Sequence, residues 1–110
     1  MMRLTACSMI VFASAFTGGG PAQAEPGSAR SGQALARGTC AECHAVDADQ
    51  ARSPAPKAPT FPDLAATPGM TEAALTVALT TPHAGMPMFR LSAQQRADII
   101  AYILGLKPGR

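Results

Sequence analysis

The sequence contains no tryptophan, one tyrosine and four phenylalanines. Phe12 and Phe16 lie in an N-terminal apolar stretch. Only Phe61, Phe89 and Tyr102 remain to be buried in a folded domain, which excludes a core built from large rings. Cysteine is scarce as well. Three residues are too few for the disulfide framework of a small secreted domain. A bridge between Cys40 and Cys43 would tie nothing distant together, because only Ala41 and Glu42 separate them. Charge of one sign is lacking too: nine Lys and Arg stand against seven Asp and Glu, for a net +2, with no basic patch. That balance argues against nucleic-acid binding. No stretch alternates like a β-strand and β-branched residues are few, so the expected class is all-α.

What is present begins with a three-part leader. Met1, Met2 and Arg3 form a short basic region, Leu4 to Phe16 is uncharged, and Ala22-Gln23-Ala24 is an A-x-A site. This is the pattern of a secretory signal peptide. The apolar run is shorter than the ~20 residues that span a bilayer as a helix, so an uncleaved anchor is the lesser reading. Leu4-Thr5-Ala6-Cys7 has the look of a lipoprotein acylation box, but almost no apolar region precedes it. Cys7 is therefore read as a residue of the leader. The expected organisation is a cleaved signal over 1–24, a flexible lead-in over 25–31 and one domain over 32–110.

The domain is organised around Cys40-Ala41-Glu42-Cys43-His44. C-x-x-C-H reads as a c-type haem attachment site. Two thiols one helical turn apart can each add across a vinyl group at the haem edge. The His that follows can then place a ring nitrogen on the iron. A redox CxxC pair, or part of a zinc site, are the alternatives on this motif alone. A haem would also supply the flat apolar body that the aromatic-poor sequence lacks, and small domains often need such a cofactor for stability.

Around the motif the residues read as helices and loops. Gly32 to Thr39 predicts a short helix with Leu35 as its large apolar residue. Gly32 either starts that helix or allows another helix to approach. Val46 to Pro62 is a loop, interrupted by Pro54, Pro56, Pro59 and Pro62. Such a loop can wall one edge of a haem, and the carbonyl of Pro56 or Pro59 can accept the proton on the far nitrogen of His44. Phe61 and Leu64 are expected as apolar contacts of a short turn after it. Thr71 caps a second helix with Glu72 in its first turn and Leu75, Ala78 and Leu79 as an apolar stripe, and Pro82 ends it. Met70 before the cap reads as a core residue.

The loop His83-Ala84-Gly85-Met86-Pro87-Met88-Phe89 holds two thioethers and a ring among turn residues. Met opposite His is a standard axial pair on haem iron. Met86 is preferred because Pro87 restrains the chain beside it, and Met88 is the alternative. His83 reads as an exposed loop residue, with a second haem ligand or a fourth zinc ligand as the other options. Ser92 and Gln95 form a capping box that opens the last helix. Ile99, Ile100, Ile103 and Leu104 make its apolar face, and Tyr102 lies where it can cross the first helix near Gly32.

In this order, Gly32, Cys40 to His44, the Pro-rich loop, Met86-Pro87 and the Leu91-Ser92 capped helix with Ala101-Tyr102 resemble a small bacterial class I c-type cytochrome. The resemblance implies three to four helices around one covalently bound haem c, with the first and last helices crossing. It implies thioethers at Cys40 and Cys43, and His44 and Met86 as axial iron ligands. Leu35 stands where the family carries an aromatic, which points to a looser crossing. The implied function is one-electron transfer in the periplasm rather than catalysis, with donor and acceptor proteins docking at an exposed haem edge. A monomer, no nucleic acid and no transmembrane span after cleavage are expected. The alternatives are a cytochrome subunit or dedicated acceptor of a periplasmic dehydrogenase or oxidase, and a haem-based sensor with an open iron site.

Overall fold

The computed structural model describes Gly20 and residues 25–109. The expected cleavage site and Cys7 lie outside the described residues. Among them there are four α-helices and no strand: α1 Ala29–Leu35, α2 Phe61–Ala66, α3 Glu72–Thr80 and α4 Ala93–Gly105. The domain is all-α, as the sequence indicates. No described helix is long and apolar enough to cross a membrane.

Helix α1 starts three residues inside the stretch expected as lead-in. Ser28 is the reason. Its backbone is extended, its side chain accepts from the Ser31 amide, and its own amide donates to Asp98 Oδ1 at 2.8 Å. Gly32 is therefore an interior residue, and it is buried. A Cβ on Gly32 would lie 1.9 Å from the Asp98 carbonyl oxygen and 2.9 Å from Tyr102 Cβ. One on Gly27 would lie 2.1 Å from the Ala97 carbonyl oxygen. Two glycines thus let α1 lie against α4 at backbone contact. The crossing is tight, not loose: the glycines set the separation, and half-buried Leu35 fills the space beside it.

After Leu35 the helix widens into a π-helical segment, Ala36–Cys40, closed by the Ala41 amide donating to Ala36 O at 3.0 Å. π turns are rare and frequently mark functional sites. This one ends on the first cysteine of the motif. Helix α2 begins at Phe61, so Pro62 belongs to its first turn rather than to the loop, where a missing N–H costs nothing. Thr60 caps it. Helices α3 and α4 are capped by Thr71 and Ser92 as expected, and the Ser92–Gln95 capping box is complete. Thr81, before Pro82, is extended and ends α3.

The core is small and aliphatic. Ile99, Ile100 and Ile103 of α4 pack with Ala36, Val46, Phe61, Ala65, Leu75 and Tyr102. Met70 is half-buried against this cluster, as a core residue should be. Val46, expected at the start of a loop, is instead core, 1% exposed. It is held there by Tyr102 Oη, which donates to its carbonyl at 2.8 Å.

Candidate functional site

The segment after the π turn is pinned amide by amide. Cys43 and His44 donate to Cys40 O. Ala45 donates to Ser53 Oγ, and Val46 and Asp47 both donate to Gln50 Oε1. Two carbonyls of this stretch receive bonds from the Pro-rich loop and its end, Ala55 N to Cys43 O at 3.0 Å and Phe61 N to Ala45 O at 2.8 Å. The loop is thereby folded back along the motif.

This geometry decides between the two prolines. His44 Nδ1 lies 2.7 Å from the carbonyl oxygen of Pro59. A carbonyl only accepts, so Nδ1 donates, and in the neutral imidazole Nε2 carries the free lone pair. Phe61 packs against the imidazole with ring centroids 5.6 Å apart, and Tyr102 packs on Phe61 at 6.3 Å. The ring is therefore held by a hydrogen bond at one nitrogen and by Phe61 beside it.

Cys40, Cys43 and His44 line one cleft together with His83, Met86, Pro87 and Phe89. It encloses about 950 Å³ of atom-free space, open solvent included. Alanines, prolines and Gly85 make up much of the rest of the wall. A smaller hollow of about 380 Å³ shares Cys40, Met86 and Phe89 with it and adds Ala78, Leu79, Met88 and Leu91. The apolar stripe of α3 and the Met loop thus face the same region. Met86 is half-buried, whereas Met88 is 54% exposed and Phe89 37%. Gly85, at φ +82°, turns the chain between His83 and Met86.

The competing readings of the cysteines do not fit. Burial pushes the Cys40 thiol up from its ordinary value. Reactive redox CxxC pairs are favoured by the opposite, a thiolate stabilised at a depressed pKa. Among the described residues no three His, Cys, Asp or Glu side chains converge on a metal-sized site, so the zinc reading has no ligand set. His83 is exposed, as expected, but not idle. Its Nδ1 lies 3.2 Å from Thr81 O and its Nε2 3.0 Å from Met86 Sδ.

The site fits a haem on its own evidence. The wall is mostly apolar, the paired thiols sit at its edge, and an imidazole is oriented through Nδ1 with Nε2 free. An all-α domain with this site is a c-type cytochrome. The chain belongs to the family described as cytochrome c oxidase, cbb3-type, subunit III, which matches residues 27–103. It is similar to cytochrome c-552 of Bradyrhizobium diazoefficiens (strain JCM 10833 / BCRC 13528 / IAM 13628 / NBRC 14792 / USDA 110), with 40% identity over 77 residues, 70% of this chain and 73% of that protein. No solved structure matches. The fold is that of a small class I c-type cytochrome, the cofactor is covalently bound haem c, and the role is electron transfer.

Sequence reasoning missed the residues that brace the site. Asp47 accepts from Arg37 Nε at 3.0 and 3.2 Å and from Gln33 Nε2 at 3.3 Å. Asp98 accepts from Ser28 and from Gln94 Nε2. One signal was available for the first group: Arg37 and Asp47, of opposite charge, each stand three residues outside the motif.

Proposed function

We propose that this chain is an exported, periplasmic one-electron carrier without enzymatic activity. In this reading Cys40 and Cys43 would hold the haem as thioethers, and His44 and Met86 would ligate its iron. Haem c supplies a reversible one-electron change at its iron. The chain's own residues do the rest. The Pro59 carbonyl orients His44 and raises its basicity. Pro87 restrains the backbone beside Met86, and Phe89, which lines the cleft, would cover the haem edge. With His44 and Met86 both holding the iron, no place on it would be left for a substrate. The observation that carries this reading is the convergence of Cys40, Cys43, His44 and Met86 on one cleft, with His44 Nδ1 committed to Pro59 O at 2.7 Å.

The test is an optical spectrum with redox titration of protein matured in its native compartment. A low-spin six-coordinate spectrum, a far-red ferric band, resistance to carbon monoxide and haem that survives acid–organic extraction are expected. Its mass should match a chain starting at Glu25 plus one haem. Extractable haem, or a reduced form that binds carbon monoxide readily, would refute the assignment. The family description favours a second reading on the same site, service as a subunit of a cytochrome c oxidase. Co-purification with such a complex from native membranes decides between a free and a docked carrier.

A further inference from the structure

The motif is bracketed by an ion pair. Arg37, in the π turn, stands three residues before Cys40, and Asp47 three residues after His44. Arg37 Nη2 lies 2.8 Å from Asp47 Oδ1, and Nε reaches both carboxylate oxygens, which is the planar two-point geometry that arginine favours. Two further groups close on the same carboxylate. Gln33 of α1 donates to it at 3.3 Å, and Tyr102 Oη of α4 lies 3.3 Å from it while donating to Val46 O. Arg37 holds the Asp47 carboxyl below its ordinary range, so it stays ionised at neutral pH. The carboxylate is thus a hub joining α1, the π turn, α4 and the segment after the motif.

The hub has a short mechanical route to the axial histidine. Asp47 and Val46 are held to the two helices. Ala45, next along, accepts from the Phe61 amide at 2.8 Å. Phe61 is two residues past Pro59, whose carbonyl accepts the hydrogen bond from His44 Nδ1. The bonds His44–Pro59 and Ala45–Phe61 therefore close a small ring between two adjacent residues on one side and three on the other. Where residues 45–47 sit decides how well that ring closes.

We propose that Arg37 and Asp47, with Gln33 and Tyr102, are positioning residues for His44. By clamping the backbone after the motif onto the α1–α4 crossing, they set the His44 Nδ1–Pro59 hydrogen bond and through it the reduction potential. The inference rests on His44 being an iron ligand. A strong bond at Nδ1 makes the imidazole more basic and favours ferric iron, so loosening it raises the potential. Three accounts of the clamp then separate by sign. If it positions His44, Arg37→Gln and Asp47→Asn both raise the potential, and the double variant goes no further than the larger single. If it acts only by its charges, the two singles shift the potential in opposite directions. If it is only structural, melting falls while the potential stays put.

The experiment uses the haem-loaded protein with nitrogen-15 histidine. It records midpoint potentials and the solvent exchange of the His44 Nδ1 proton by NMR. Both singles should raise the potential and speed that exchange roughly tenfold, the scale of one weakened hydrogen bond. Tyr102→Phe keeps the ring packed on Phe61 and removes only the hydroxyl. It should move both readouts in the same direction, and it covers the case in which an ion-pair variant fails to mature. Opposite-sign potentials, or unchanged potential and exchange in all variants, overturn the proposal while the haem reading stands. If the wild type shows no iron-bound His44, the reading beneath fails and takes the proposal with it.

Discussion

On the His44 side of the cleft every amide from Cys43 to Asp47 has an acceptor, and the donors and acceptors come from the motif, the Pro-rich loop and α4. On the Met86 side the hydrogen bonds of residues 83–91, among the described residues, stay local. Met86 N donates to His83 O at 3.3 Å, and the His83 ring meets Thr81 and Met86. Met88 and Phe89 are among the exposed large apolar residues. One wall is a frame that the protein builds for itself. The other is a short strap whose hydrogen bonds, among the described residues, reach no further than Thr81. In the proposed assignment, two ligand sides made this differently should fail differently: the His side with the fold, the Met side without it.

The largest effect belongs to the frame. Gly32→Ala places a methyl group against the Asp98 carbonyl, and neither backbone can move aside cheaply. A loss of about 3 kcal/mol or more is expected, at the severe end of overpacking. Guanidine unfolding of the haem-loaded protein measures it. A variant as stable as the parent would mean that the crossing does not support the His44 side.

Met86→Ala attacks the strap alone. The far-red ferric band should vanish, the potential fall and carbon monoxide bind, while far-ultraviolet circular dichroism stays that of the parent. Met88→Ala should keep the band and shift the potential only slightly, because Met88 is the more exposed of the two. A reversed result reassigns the ligand to Met88. A helical content that collapses with Met86→Ala would erase the contrast between the two sides.

Acid should reach the frame through Asp47. Its folded pKa is depressed by Arg37, so its stabilising contribution is complete above the ordinary value of 3.8 and is lost as pH falls through the lower folded value. The pair is partly exposed, with side chains at 56% and 24%, so the effect is modest. Asp47→Asn should flatten the acid limb of a melting-temperature profile below about pH 4. An unchanged limb would show that other carboxylates govern it.

The smallest effect is expected at His83. His83→Ala removes a contact to Met86 Sδ but no iron ligand in the proposed assignment. The far-red band should persist with little change in potential. Loss of the band would show that the strap needs His83 to present its sulfur, and would make the two walls more alike.

These contrasts track how far each feature could be read along the chain. The CxxCH motif, the caps at Thr71 and Ser92, the break at Pro82 and the Met–Pro turn all depend on residues within one or two turns of each other. Their chemistry is local, so spacing alone places them. The start of α1 was misplaced because its first anchor, Asp98, is 70 residues away from Ser28. The choice of Pro59 over Pro56 depended on how the loop folds back on Ala45, and proline spacing carries no record of that.

By itself, then, the sequence determined an all-α domain, an attachment motif with its following imidazole, and a turn-rich loop carrying two thioethers. Covalent order and short-range backbone chemistry suffice for those. The tertiary structure alone decided that Gly27 and Gly32 bring α1 onto α4, that Val46 is core and not loop, and that Asp47 gathers Arg37, Gln33 and Tyr102. The bonds from Tyr102 span 55 and 56 residues. Partners that far apart leave no periodic signal in the chain and meet only when the helices pack.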